Sequence, residues 1–592
     1  MVQALSHRGP DADGFYIDED VSLGHNRLSV IDLSEEANQP MQDNDGELVI
    51  VFNGEIYNFL DIKRELESEY DFKTKSDTEV ILAGYRKWGK EVTEHLNGMF
   101  AFAIWDKRTQ EFFCARDHAG IKPFYYFWDG KRFIFASELK AILKHDIPRE
   151  LNISAFNRYI RVLYSPEPET LVKNIYKLPP SNILILRGHK LSIEPYGQKV
   201  GPVSNSSYAE AVSETRKKIM NAVERQLISD VPLGIYLSGG IDSSAVLYSM
   251  SQFTRKIKTF SVGFELEDKA EEEKFNHDFN LARRTAKHFG TKHHEFRVSS
   301  KEALEVFESM VFHNDEPVSN PTSIPMFLLS RFAKKEVSVV LSGNGGDELF
   351  GGYDRYRMAL LATYYKKLPY LVRKILNNNK KFSKLDYGSE TSLFAQFMFE
   401  KDSKLKGVIS ADVFQNGDLV NEFFESKYFA EESEDVVRSI MSADRKSWLP
   451  DQALNLGDKM SMAHGLEERV PFLDNELVIF AESLPTSFKA DLFNTKKILK
   501  DAFKKDLPEF LFDQPKRGWF SPGAKWLRES AFKAFAQEVL SSDYYEGTRK
   551  LFNWSEVERM LNGHLEKKEY NLTILWAILT FQVWAKKYKI VL

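Results

Sequence analysis

Over the first 140 residues, apolar positions recur mostly at every second residue. Runs at 14–17, 21–25, 28–32, 48–53, 99–106, 111–117, 123–128 and 132–137 predict short strands. The runs 99–106 and 111–117 flank Lys107-Arg108-Thr109 as the two arms of a hairpin. Helical spacing covers 58–69 and 77–87, the second capped by Ser76 or Asp77. Many strands with two early helices predict an α+β layered domain. The stretch 148–201 is mixed, with a short helix at 154–162, prolines at 166, 168, 179 and 180, and a strand at 182–186. Residues 197–207 lack large apolar side chains and predict a linker, which places a domain boundary near 205 and divides the chain into 1–190 and 206–592. Beyond it the period changes. A helix at 209–227 precedes strands at 258–264, 293–298 and 337–342, which alternate with helices at 279–289, 300–310 and 324–334. That alternation predicts an α/β parallel sheet with crossover helices, whose ligand belongs at the carboxyl ends of the strands. Residues 355–446 predict a helical insertion, and the apolar run 572–587, with Trp576 and Trp584, a packing helix.

Two glycine-rich stretches fall at such strand ends. The first, Y-L-S-G-G-I-D-S-S at 236–244, follows a short apolar run and opens a helix. Glycines there let the backbone approach a ligand, and a helix N-terminus favours an anion. It lacks the spacing of a Walker A loop and resembles the pyrophosphate-binding loop of the ATP-pyrophosphatase family, S-G-G-x-D-S-[ST]. The second, L-S-G-N-G-G-D-E-L-F-G-G-Y at 341–353, adds two carboxylates, Asp347 and Glu348. Triphosphate chemistry needs Mg²⁺, an ion that takes oxygen ligands. Asp242 and Asp347 are the expected metal pair if both strands end at one edge; the bland alternative is that Asp347-Glu348 only caps the next helix.

Composition narrows the classes of partner. Of 592 residues, 43% are hydrophobic and 28% charged, as in a globular protein, and the net charge of -6 gives no footprint for nucleic acid. Basic runs such as Lys380, Lys381 and Lys384 are taken as a solvated face. A single cysteine, Cys114, excludes an internal disulfide and fits a reducing compartment. There is no apolar run of about 18 residues and no signal peptide, so a soluble cytoplasmic protein with no membrane partner is expected.

Five motifs in the first domain resemble the glutaminase domain of the N-terminal-nucleophile (class II) amidotransferases: H-R-G-P-D at 7–11, H-N-R-L-S at 25–29, F-N-G-E-I-Y-N at 52–58, S-D-T-E-V at 76–80 and R-D-H-A-G-I-K-P at 116–123. The set suits glutamine. Arg27 can pair with an α-carboxylate, Glu55 and Asp77 can hold an α-ammonium, and Asn53 with the Gly54 amide can form an oxyanion hole. Asn53-Gly54 alone is also a common hairpin turn. The departure is the nucleophile. That family uses a cysteine at the mature N-terminus, whereas this chain opens on Met1 with an uncapped helical turn. Cys114, in a strand interior, reads as a core residue. The expectation is that a short segment holding the nucleophile and a first strand precedes Met1; the alternative is a loss of glutaminase activity and a need for free ammonia.

Taken with M-A-H-G-L-E-E-R-V-P-F-L-D at 462–474, these motifs resemble the glutamine-dependent asparagine synthetase family across both ends of the chain. The resemblance implies that the aspartate side-chain carboxylate attacks the α-phosphate of ATP, and that ammonia from glutamine, travelling inside the protein, displaces AMP from β-aspartyl-AMP. It assigns nucleotide contacts to Leu237, Val262, Ser342 and Gly343, and the pyrophosphate loop to Ser238, Gly239, Gly240, Asp242, Ser243 and Ser244. It makes Glu348 the acid that handles the amine and Lys516, beside Arg517-Gly518, a lysine that steadies phosphate charge. Small-molecule substrates (ATP, aspartate, glutamine or ammonia) are the implied partners, with a homodimer left open. Two rivals remain: an amidotransferase acting on another carboxylate, such as a peptide, a sugar acid or a β-lactam precursor, and a non-catalytic homologue.

Overall fold

The computed structural model describes residues 1–197, 201, 203–430, 435–512 and 518–592. Its first half is built on a six-stranded antiparallel sheet in the order Lys190–Pro195, Asn182–Arg187, Glu111–Arg116, Gly98–Asp106, Leu48–Ile56, Met41–Gln42. The predicted hairpin is present, with Asp106 opposite Glu111. Alternation along Leu48–Ile56 divides its side chains between two cores. Ile50, Phe52 and Ile56 pack under the helices Phe59–Leu66 and Asp77–Trp88, while Val49 and Val51 face Phe124, Tyr126 and Leu184 on the other side. The Ser76 hydroxyl accepts from the Thr78 amide and caps the second helix, as expected.

One strand expectation fails. Residues 28–32 are irregular. The Arg27 guanidinium collects the Ile31, Asp32 and Ser34 carbonyls, which bends this stretch around one cation instead of pairing it in a sheet.

The second half holds a five-stranded, all-parallel sheet in the order Lys292–Val298, Lys258–Phe264, Leu233–Tyr236, Val339–Leu341, Glu467–Arg469. The last strand was not anticipated. It is three residues long and reads Glu-Glu-Arg, with no apolar pattern to reveal it. Its side chains are nonetheless buried: Arg469 pairs with Glu467 and Glu55, and Glu468 accepts from the Asn344 side-chain amide. Both faces of the sheet are covered: Ile235 and Leu341 pack in one core with Ile219, Val246 and Leu499, while Val340 and Phe260 pack in the other with Ile324, Met460 and Trp576.

The two halves share structure. Phe156, Tyr159 and Leu171 belong to the same core as the long buried helix Leu572–Tyr588, and the backbones of Glu150 and Val591 form a bridge. Residues 354–446 form a helical subunit with its own core around Tyr356, Phe394, Phe424 and Ile440, which agrees with the expected insertion. Among the described residues no helix is long and apolar enough to cross a membrane.

Candidate active sites at a sheet switch point and in a buried cavity

In the parallel sheet, successive strands are added in one direction from Leu233–Tyr236 and in the other from Val339–Leu341, and these two strands are neighbours in space though separated by two strands in sequence. A crevice opens at such a point, outside the carboxyl ends of the strands. Both glycine-rich loops leave the sheet there. A Cβ on Gly343 would lie 2.9 Å from the Asp242 Cβ and the Ser243 amide, so only glycine lets the loops pack this closely. The helix Ile241–Phe253 starts at Gly240 with no side-chain cap, which leaves its first amides for a ligand. The Ser238 and Ser243 hydroxyls lie 3.1 Å apart and brace the turn. Leu237 donates its amide to the Phe260 carbonyl, Ser342 donates to the Arg469 carbonyl at 2.9 Å, and Val262 lies on the neighbouring strand.

Between the two loops sits a residue that the sequence reading missed. The Lys496 ammonium contacts the Asp242 carboxylate and lies 2.6 Å from Asp347 Oδ1. Burial opposes its charge, but Asp242 and Asp347 overcome that and hold its pKa above the ordinary lysine value. Lys496 stands at φ 54° just ahead of the helix Lys497–Phe503. In sequence it is one of two adjacent lysines before an apolar helix, and nothing there marks which one turns inward. The second carboxylate oxygen, Asp242 Oδ1, is buried with no hydrogen-bond partner among the described residues.

Glu348 is buried, and burial followed by Asp347 pushes its pKa up to about 7. The Tyr353 hydroxyl donates to it at 2.7 Å. The Arg355 guanidinium stacks 3.8 Å over the Tyr353 ring and is itself tied to Asp444. Lys516 lies outside the described residues.

The expected glutamine residues gather around a cavity of about 410 Å³ in the first half, lined by Arg27, Asn53, Gly54, Glu55 and Asp77. Gly54 has φ 150°, and a Cβ there would meet the Met99 carbonyl at 2.0 Å. Asp77 accepts from the Ile56 amide at 2.8 Å, and burial raises its pKa to about 6. Glu55 is pushed up by burial and by Glu467, against the pull of Arg469. Arg469, fully buried, lies 3.4 Å from Glu55 and 2.8 Å from Glu467. Met462 and Glu467, both from the second half, complete the cavity wall.

Cys114 is absent from that wall. It is buried mid-sheet between Ala103 and Leu184, and burial pushes its thiol pKa up. The acidic turn Asp315-Glu316 is occupied with lysines: Asp315 with Lys459 at 3.3 Å, and Glu316 with Lys177 at 3.1 Å.

Comparison with known proteins agrees with both halves. The asparagine synthase family model matches residues 214–586, and a glutamine amidotransferase domain model matches 1–197. Asparagine synthetase [glutamine-hydrolyzing] 1 of Bacillus subtilis is 33% identical over 99% of this chain and 92% of its own length. A putative asparagine synthetase [glutamine-hydrolyzing] of Mycobacterium tuberculosis is 33% identical over 98% of this chain and 92% of its own. A solved glutamine phosphoribosylpyrophosphate amidotransferase from B. subtilis aligns at 19% identity over 46% of this chain and 66% of its own, with a TM-score of 0.25, too faint a likeness to carry an argument. With one family model covering more than half of its length, the chain belongs to the asparagine synthase family.

Proposed function

We infer that the protein converts aspartate to asparagine at the expense of ATP, releasing AMP and pyrophosphate, with nitrogen from glutamine by way of the first half, or from free ammonia where the nucleophile is lacking. The observation that carries this is the meeting of the two glycine loops at the sheet switch point, with Lys496 held between Asp242 and Asp347. Residues 1–190 are proposed as a glutaminase domain of the N-terminal-nucleophile type, and 206–592 as an ATP-pyrophosphatase-type synthetase.

In this reading the amides of 238–244 receive the pyrophosphate portion of ATP. Leu237, Val262, Ser342 and Gly343 border the rest of the nucleotide. The aspartate β-carboxylate attacks the α-phosphorus, the bond to pyrophosphate breaks, and β-aspartyl-AMP forms. Lys496 offsets the negative charge that builds on the phosphoryl oxygens. Asp242 and Asp347 would hold Mg²⁺, a role that suits the unpartnered Asp242 Oδ1 and an ion that takes its remaining oxygens from phosphate and water. Bound there with ATP, the ion would neutralise phosphate charge. Ammonia then attacks the acyl carbon and AMP leaves. Glu348, poised near 7, takes the proton that the amine sheds.

In the first half, Arg27 would bind the glutamine α-carboxylate, Glu55 and Asp77 its ammonium, and Asn53 with Gly54 the oxyanion. Because no thiol lines the cavity, these 592 residues are expected to use ammonium. The test is pyrophosphate and asparagine formation with ATP, Mg²⁺ and aspartate, supplied with ammonium or with glutamine. Aspartate-dependent product from ammonium supports the reading. Equal use of glutamine would overturn the account of the cavity, and no aspartate-dependent product would overturn the choice of acceptor.

A further inference from the structure

Of the 23 large hydrophobic side chains exposed on the described structure, eight fall within 22 consecutive residues: Leu361, Tyr364, Leu368, Tyr370, Leu371, Val372, Ile375 and Phe382. Single exposed apolar residues need no explanation, whereas a contiguous cluster marks an interaction surface. The cluster runs from the last turns of the helix Asp354–Lys366 through the helix Tyr370–Leu376 to Phe382 in the helical insertion. Leu371 and Ile375 are 72% and 70% exposed, so they stand out from the surface instead of lining a groove.

The charge of the same segment is one-sided. Residues 361–384 contain seven lysines and arginines and no acid, in a chain whose net charge is -6. Asp386, just beyond, pairs with Arg373 and Lys366 and leaves the excess positive. A two-fold contact between copies of this chain would set the patch against itself, with like charges facing. A protein partner would need a pocket for each protruding side chain. An anionic bilayer needs none: it takes aliphatic side chains below the headgroups, tyrosines at their level, and lysine and arginine among the phosphates.

We propose that the helix–turn–helix spanning residues 361–384 docks this protein on the surface of an anionic lipid bilayer. The contact is peripheral and compatible with the absence of a membrane-spanning helix among the described residues. It is independent of the reaction assigned above.

The experiment is co-sedimentation of the full chain with phosphatidylcholine vesicles, with and without one quarter phosphatidylglycerol. Binding is expected to the anionic vesicles only and should fall as salt rises. Each cation near such a surface strengthens partitioning about fivefold. Lys367→Glu with Lys374→Glu should therefore weaken binding by at least about tenfold. Leu371→Glu with Ile375→Glu should abolish it. All four residues are exposed and outside the proposed catalytic machinery, so ammonium-dependent synthesis and the melting curve should stay unchanged in both variants. No binding to anionic vesicles would overturn the proposal, as would binding that survives Leu371→Glu with Ile375→Glu. A dimer in sedimentation velocity that those two substitutions dissociate would assign the face to a second copy and equally overturn it.

Discussion

At the nucleotide end the protein offers backbone: uncapped amides of the helix Ile241–Phe253 and two loops packed so closely that a Cβ at Gly343 would collide. Between those loops Lys496 lies against two carboxylates, a cation already neutralised before any phosphate arrives. In the cavity of the first half the polar side chains are instead committed to the protein. Arg27 donates to three carbonyls and to Asn38, Asp77 accepts from the Ile56 amide, and Glu55 faces Arg469. The two sites therefore pay for ligand charge differently. A phosphate group would compete with Asp242 and Asp347 for one lysine. A glutamine would have to displace or share hydrogen bonds that hold loops and the domain joint in place.

The largest expected effect tests the lysine. Lys496→Met should cut asparagine formation from ammonium about a thousandfold, or about 4 kcal/mol of transition-state stabilisation. It should leave the fold intact, because Asp242 and Asp347 border the open crevice and can be hydrated. An activity within tenfold of the parent would put the phosphate-stabilising charge elsewhere.

Arg469→Met examines the cavity side. It strands Glu467 and Glu55 in a buried site, and breaking a buried pair costs about 3–5 kcal/mol. The loss should lie at about 3 kcal/mol or above, read as a lower midpoint in urea. An unchanged midpoint would mean that the cavity wall does not depend on the second half.

Glu348→Gln separates the two halves of the synthetase reaction. Loss of a general base slows a step by about a hundredfold or more. Asparagine formation should fall by that factor while aspartate-dependent exchange between ATP and pyrophosphate persists. Equal loss of both would move Glu348 to the adenylylation step.

The smallest effect is a pH dependence. Asp77 is raised to about 6 by burial, so the native state binds its proton more tightly than the unfolded chain does. Its contribution to stability is complete below the ordinary aspartate range and is lost as pH rises through about 6. Asp77→Asn should flatten the decline in stability between about pH 4 and pH 6 by roughly 2 kcal/mol. A slope equal to the parent's would assign the decline to other buried acids, such as Glu468, which burial pushes up to about 7.

The same contrast explains what could be read from sequence. The phosphate end is written in contiguous stretches, because strand, loop and helix follow one another along the chain. Asp242 and Asp347 were expected to meet if both strands end at one edge, and Leu233–Tyr236 does lie beside Val339–Leu341. Lys496 was hidden because it reaches the loops from 254 residues away through a left-handed backbone position that no residue type announces. The strand Glu467–Arg469 was hidden because its burial is balanced by ion pairs instead of apolar periodicity. In the cavity, motif resemblance brought Arg27, Asn53, Gly54, Glu55 and Asp77 together, but gave no sign that Met462 and Glu467 close the wall.

The ion pairs across the joint set an order of events during synthesis. Arg8 closes on Asp458, 450 residues later, and Lys122 closes on the same carboxylate from 336 residues away. At ribosomal rates of about 5–20 residues per second, roughly 20–90 s separate the appearance of Arg8 from that of its partner. The first half emerges with Arg8 held by Glu138 alone and with Lys122 and Glu55 still without Asp458 and Arg469, and its joint surface becomes dry only when the segment around 458–469 arrives. Folding of the N-terminal half is thus finished from the C-terminal side, and a chain stopped before Asp458 leaves the ribosome with Lys122 lacking that carboxylate.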